Sequence, residues 1–152
     1  MPVKIFQRNL RKYVEYQGIS ITQLAQCAHL SRTTLSKILN QKSSVRLSNA
    51  VLLSKVVDVD FISLNKSDFE LENTKPFDPL RTYTDYLNVA LQNLKMSVNF
   101  QQALSAYPGL SASEISKLFS GKVADSYLSS LEKLIEVTNF KDLLEIFTRG
   151  EI

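Results

Sequence analysis

Apolar residues recur along this chain at intervals of three and four rather than alternating, and polar breaks divide them into short stripes. That period predicts an all-α fold of short helices. Val3, Phe6, Leu10, Tyr13 and Val14 form the first stripe, which ends near Gly18. Ser20 with Gln23 three residues on has capping-box spacing and opens a second helix that turns Leu24, Ala25 and Ala28 inward. After a turn at His29–Leu30, Ser31 is placed to cap a third helix, 31–40, with Leu35, Ile38 and Leu39 on its apolar face. The polar run Asn40-Gln41-Lys42-Ser43-Ser44 separates it from a fourth helix, Leu47 to Val57, with Ala50, Val51 and Leu53 inward. Phe61, Ile62 and Leu64 close the core as a short fifth helix.

Residues 65–77 hold no sustained period and carry polar side chains with a proline, the composition of a linker, whose Phe69, Leu71 and Phe77 are left as candidates to dock on a core. Asp78-Pro79 then has the form of an N-cap followed by proline at the first helical position, which predicts a new helix there. The expected domains are therefore 1–64, a linker at 65–77, and a second helical domain at 78–152.

An internal repeat enlarges this picture. Residues 24–42 align with 104–122 at a constant offset of 80, with identities Leu24/Leu104, Leu30/Leu110, Ser31/Ser111, Ser36/Ser116, Lys37/Lys117 and Lys42/Lys122. Ala25/Ser105, Thr33/Ser113, Leu35/Ile115 and Ile38/Leu118 are conservative pairs at positions that need small or apolar side chains. One extra residue before Leu128 brings Leu47, Leu53 and Val56 opposite Leu128, Leu134 and Val137. The second half, residues 82–147, is thus expected as a divergent copy of the first, giving two five-helix units in tandem.

Charge separates the two halves. The whole chain carries +3, but residues 1–62 hold nine Lys/Arg against three Asp/Glu, a net +6, whereas residues 82–152 hold six against eight, a net −2. A polyanion suits the first half, because neutralising phosphates releases condensed counterions. The lone Cys27 has no intrachain disulfide partner, and no Cys/His cluster suggests a metal site or other cofactor, so a reducing compartment, the cytoplasm, is expected. No apolar run approaches the ~18 residues of a membrane span, so no membrane partner is expected. Glycine-rich phosphate loops, metal-ligand spacings and Ser/His/Asp arrangements are missing, which argues against an enzyme.

The third helix is the informative one. Arg32, Thr33, Ser36 and Lys37 share one face, opposite Leu35, Ile38 and Leu39. One bidentate donor, one point charge and two short hydroxyls suit a DNA major groove, where Arg pairs with guanine O6 and N7 and hydroxyls meet base edges or the thymine methyl. Thr22 at the start of the second helix and Asn40, Lys42 and Ser43 at the exit of the third complete the candidate DNA-binding set.

The stretch from Ser20 to Lys42, with Leu24, Ala25, Ser31, Arg32, Leu35, Ser36 and Lys37 in the motif's slots, resembles the phage repressor and Cro-like helix-turn-helix family, and the resemblance extends over residues 3–64. It implies two lambda-repressor-like five-helix units. It also implies a transcriptional regulator, a repressor, acting as a homodimer on double-stranded DNA, with half-sites roughly one DNA turn, about 34 Å, apart. Three departures stand out: Ile21 takes the usual Gln slot, His29 the turn glycine and Gln41 the exit glycine. The second copy restores these with Gln101, Gly109 and Gly121, yet Ala112 and Ser113 replace Arg32 and Thr33, and Glu114 adds a carboxylate. Gln101, Ser113, Lys117 and Lys122 form a candidate second DNA site. Dimerisation or contact with a protein partner through residues 78–152, a second reading head, and structural support are the alternative roles for this half. An antitoxin-like or adaptor protein, acting through that helical unit, is the alternative reading of the whole chain.

Overall fold

The computed structural model describes residues 4–96, 112–122, 124–136 and 138–148. Every regular element among them is a helix. The chain forms two compact units, the first of Met1–Val45 with Asn49–Leu80, the second of Arg81–Ile152 with the short piece Arg46–Ser48.

The first unit holds α1 (Ile5–Gln17), α2 (Ile21–Cys27), α3 (Arg32–Leu39), α4 (Leu47–Val57) and α5 (Phe61–Leu64). Its core includes most of the set the periodicity selects: Phe6, Leu10, Val14, Leu24, Ala25, Ala28, Leu35, Ile38, Leu39, Ala50, Val51, Leu53, Phe61 and Leu64 are buried, joined by Val45, Val57 and Val59, while Ile62 is half-buried and Val3 lies outside the described residues. α1 packs on α3 and α5, and α2 on α3. The Phe6 and Phe61 rings meet with centroids 5.6 Å apart and tilted by 47°, an arrangement that aromatic quadrupoles favour over a face-to-face stack.

Residues 65–77, expected as a linker, instead fold back onto this unit. Asn9 Nδ2 donates to the Leu64 and Lys66 carbonyls at 2.9 and 2.7 Å, and Arg8 Nη2 donates to the Ser67 carbonyl at 3.2 Å. Phe69 meets Tyr13 edge-on, with ring centroids 6.4 Å apart. Farther along, Asp60 N–H donates to the Lys75 carbonyl at 2.9 Å, and Phe77 N–H to Asp58 Oδ1 at 3.1 Å. The segment is held by side-chain and backbone hydrogen bonds with one aromatic contact, Tyr13–Phe69, in place of a helical stripe, so it carries no period. Asp78 likewise caps no helix: its carboxylate accepts the Leu80 N–H two residues on, a local turn.

The second unit holds α6 (Tyr83–Lys95), α7 (Ala112–Phe119), α8 (Leu128–Glu136) and α9 (Leu143–Thr148). α6 starts at Tyr83 rather than at Pro79 because Thr82 closes a full capping box: its hydroxyl accepts the Asp85 N–H and the Asp85 carboxylate accepts the Thr82 N–H. Tyr86, Leu87, Ala90 and Leu94 of α6 are buried with Ile115, Leu118, Leu131, Leu134, Ile146 and Phe147. The Tyr86 and Phe147 rings meet edge-on at 6.3 Å, and Asn93 Nδ2 donates to the Ile146 carbonyl at 2.7 Å.

The capping box makes α6 sensitive to acid. The Thr82 N–H, the Thr82 hydroxyl and then the charge of Arg81 hold the Asp85 carboxyl below the ordinary aspartate range. A carboxyl lowered in the folded state contributes stability that is fully present above its unfolded value, about 3.9, and is lost as pH falls through the lowered folded value. Thermal melts across the acid range are expected to show this loss in the wild type and a flatter response in Asp85→Asn.

Candidate nucleic-acid interface

Both ends of α3 are fixed by its own sequence. At the start, Ser31 Oγ accepts the Thr34 N–H at 3.0 Å and pairs with the Thr34 hydroxyl at 2.8 Å, holding the first turn. At the exit, Gln41 N–H donates to the Ile38 carbonyl at 3.1 Å and Lys42 N–H to the Lys37 carbonyl at 2.8 Å. These two bonds, with Gln41 at φ 58, form a Schellman turn. α2 closes the same way: His29 N–H donates to Gln26, Leu30 N–H to Ala25, and His29 takes φ 55.

So the slots where the resemblance places glycines do adopt the left-handed conformation, with His29 and Gln41 holding it. A side chain there costs energy that glycine does not pay, offset in part by the greater freedom of glycine in the unfolded chain. His29 is exposed and its side chain makes no bond given by the structure. His29→Gly is therefore expected to stabilise the first unit by roughly 0.5 kcal/mol, read as a rise of a few degrees in thermal midpoint.

With the axis of α3 set, its outer face follows. Arg32, Thr33, Lys37 and Asn40 are exposed and Ser36 is half-buried, while Leu35, Ile38 and Leu39 are buried on the opposite side. Asn40 Nδ2 donates to Ser36 Oγ at 3.3 Å, so two of the candidate residues order each other. Lys42 is exposed just past the exit and Ser43 is half-buried there. Thr22 is exposed in the first turn of α2, next to an exposed Ile21 in the slot that lacks the usual glutamine.

The periodicity missed what anchors this face from beneath. Gln7 of α1 is buried, and its Nε2 donates to the Ile38 carbonyl at 2.7 Å and to the Ser43 carbonyl at 2.8 Å. One amide thus ties the last turn of α3 to the loop behind it. A second tie runs from the Lys4 N–H to Gln41 Oε1 at 3.0 Å. A usable signal did exist: residues seven apart on a helix diverge by only ~20°, which sets Gln7 almost in line with Val14 in the buried stripe.

Residues 10–64 match a helix-turn-helix family model of the Cro/C1 type. The match covers α2 and α3 whole, together with α4, α5 and most of α1, and it points to a DNA-binding transcription regulator. No curated protein matches the chain, and no solved structure does.

In the second unit, Lys117 lies exposed on α7 and Lys122 exposed just beyond it. Gln101 lies outside the described residues; Ser113 falls within α7, but its side chain is outside them. No described helix is long and apolar enough to cross a membrane.

Proposed function

We propose that the first unit binds double-stranded DNA sequence-specifically, with α3 in the major groove, and that the chain is a cytoplasmic transcriptional repressor rather than an enzyme. The outer face of α3 carries this reading: Arg32, Thr33 and Lys37 stand exposed on a helix that is capped at both ends and pinned by a buried amide. In this reading Arg32 pairs with guanine O6 and N7, and Thr33 and Ser36 meet neighbouring base edges or a thymine methyl. Lys37 and Lys42 neutralise phosphates, while Thr22, Asn40 and Ser43 add hydrogen bonds to the DNA backbone that set the register. The net +6 of residues 1–62 supports the same partner.

The test is selection of duplexes by the full chain from a random-sequence pool that also contains the region upstream of its own coding sequence, followed by fluorescence anisotropy at two salt concentrations. A selected motif bound in a salt-sensitive way supports the reading. Failure to enrich any motif, or binding that Arg32→Ala leaves unchanged, overturns it and favours a protein partner. Light scattering of the complex counts the chains per duplex, which the resemblance sets at two.

A further inference from the structure

We propose that the second unit is a second foot on the same duplex, one that grips phosphates through Lys117 and Lys122 without reading sequence. The inference rests on the DNA-binding reading of the first unit and adds a site in the other.

It starts from how closely α7 reproduces α3. Both helices are eight residues long, and Arg32–Leu39 becomes Ala112–Phe119 at the sequence offset of 80. Leu35 and Ile38 are buried in one, Ile115 and Leu118 in the other. The exits agree bond by bond. Asn40 N–H donates to Ser36 and Ser120 N–H to Ser116, both at 3.0 Å; Gln41 donates to Ile38 at 3.1 Å and Gly121 to Leu118 at 3.4 Å; Lys42 donates to Lys37 at 2.8 Å and Lys122 to Lys117 at 3.1 Å. The left-handed residue is Gln41 at φ 58 in one turn and Gly121 at φ 81 in the other. Lys117 and Lys122 therefore occupy, relative to their own helix, the slots of Lys37 and Lys42, and all four lysines are exposed.

What differs is the base-reading part of the face. Alanine stands at position 112 in place of Arg32, so the bidentate donor for guanine is lost, and Glu114 puts an acid in the first turn. Ser120 replaces Asn40, and its hydroxyl donates to the Lys117 carbonyl at 3.2 Å. Two lysines remain, and a lysine ammonium is a point charge that suits a phosphate oxygen whatever the base beside it. Because residues 82–152 carry a net −2, this unit does not draw the chain to DNA by itself. It engages after the first unit has bound, when tethering raises its effective concentration at the duplex.

The experiment titrates the full chain with a duplex it selected and with a scrambled duplex of the same composition, over a range of salt. The proteins are the wild type, Lys117→Ala/Lys122→Ala and Lys117→Arg/Lys122→Arg. Each phosphate contact contributes about 0.9 to the slope of log K against log salt, so the alanine pair is expected to reduce the slope by roughly 2 and weaken binding about tenfold at low salt. Both duplexes should weaken by the same factor, leaving the preference between them intact, and the arginine pair should keep the wild-type slope. An unchanged slope in the alanine pair overturns the second foot while leaving the first unit's reading in place. A loss confined to the selected duplex overturns the claim that this foot is indifferent to sequence. Wild-type protein that binds neither duplex overturns both readings.

Discussion

The Arg32→Ala/Lys37→Ala variant is expected to lose binding to the selected duplex by roughly 30- to 1,000-fold, since a bidentate Arg–guanine pair is worth about 1–3 kcal/mol and a phosphate contact adds to it. Both side chains are exposed, so their loss leaves the core of α3 untouched, and circular dichroism and thermal melting should match the wild type. The single variants separate the two roles. Arg32→Ala should flatten the preference for guanine at one position of the selected motif, whereas Lys37→Ala should weaken all duplexes alike and lower the salt slope by about 1. If the double variant binds as tightly as the wild type, α3 does not face DNA.

The largest effect on stability is expected at Gln7. Gln7→Leu keeps an apolar fit in the buried stripe but removes both donors from the Ile38 and Ser43 carbonyls. Ile38 retains its bond from the Gln41 N–H, so the heavier loss falls on Ser43. An acceptor left without a partner costs about 1–3 kcal/mol, which sets the expected destabilisation of the first unit at roughly 1–3 kcal/mol, since Ile38 stays bonded and Ser43 is the one carbonyl that loses its donor. For a unit of this size, that is a drop in thermal midpoint on the order of 5–20 °C. DNA affinity should fall as well at temperatures where the unit is still folded, because the loop carrying Lys42 and Ser43 is no longer tied to α1. Gln7→Glu sharpens the test. At neutral pH its carboxylate faces two carbonyl oxygens with nothing to donate, so it should be worse than leucine. In acid the protonated group regains one donor, and the gap should close. A Gln7→Leu protein that melts with the wild type would show that the amide does not pin α3.

Much of the fold was legible because helices announce themselves locally. The stripe Phe6, Leu10, Tyr13 and Val14 predicted α1, and Ser31 ahead of Leu35 and Ile38 predicted α3 with its cap. The outer face of α3 came with them, since fixing which side is buried fixes which side is not. Less legible was the segment after Leu64, whose ties through Asn9, Arg8, Asp58 and Asp60 leave no periodic trace. Asp78-Pro79 misled for a related reason: an Asx turn and a helix N-cap use the same residues, and the Thr82–Asp85 pair four residues on won the helix start because it satisfies two N–H groups reciprocally.

By itself the sequence determined the helical class, the order of the first unit's five helices, and the face that Arg32, Thr33, Ser36 and Lys37 share. All of these are set by interactions within a few residues, which a period or a cap motif records. Only the tertiary structure decided that Gln7 underpins α3, across 31 and 36 residues of chain, and that the presumed linker belongs to the first unit. A polar residue on a helix reads alike whether it meets water or a distant carbonyl, and the choice is made when the helices pack.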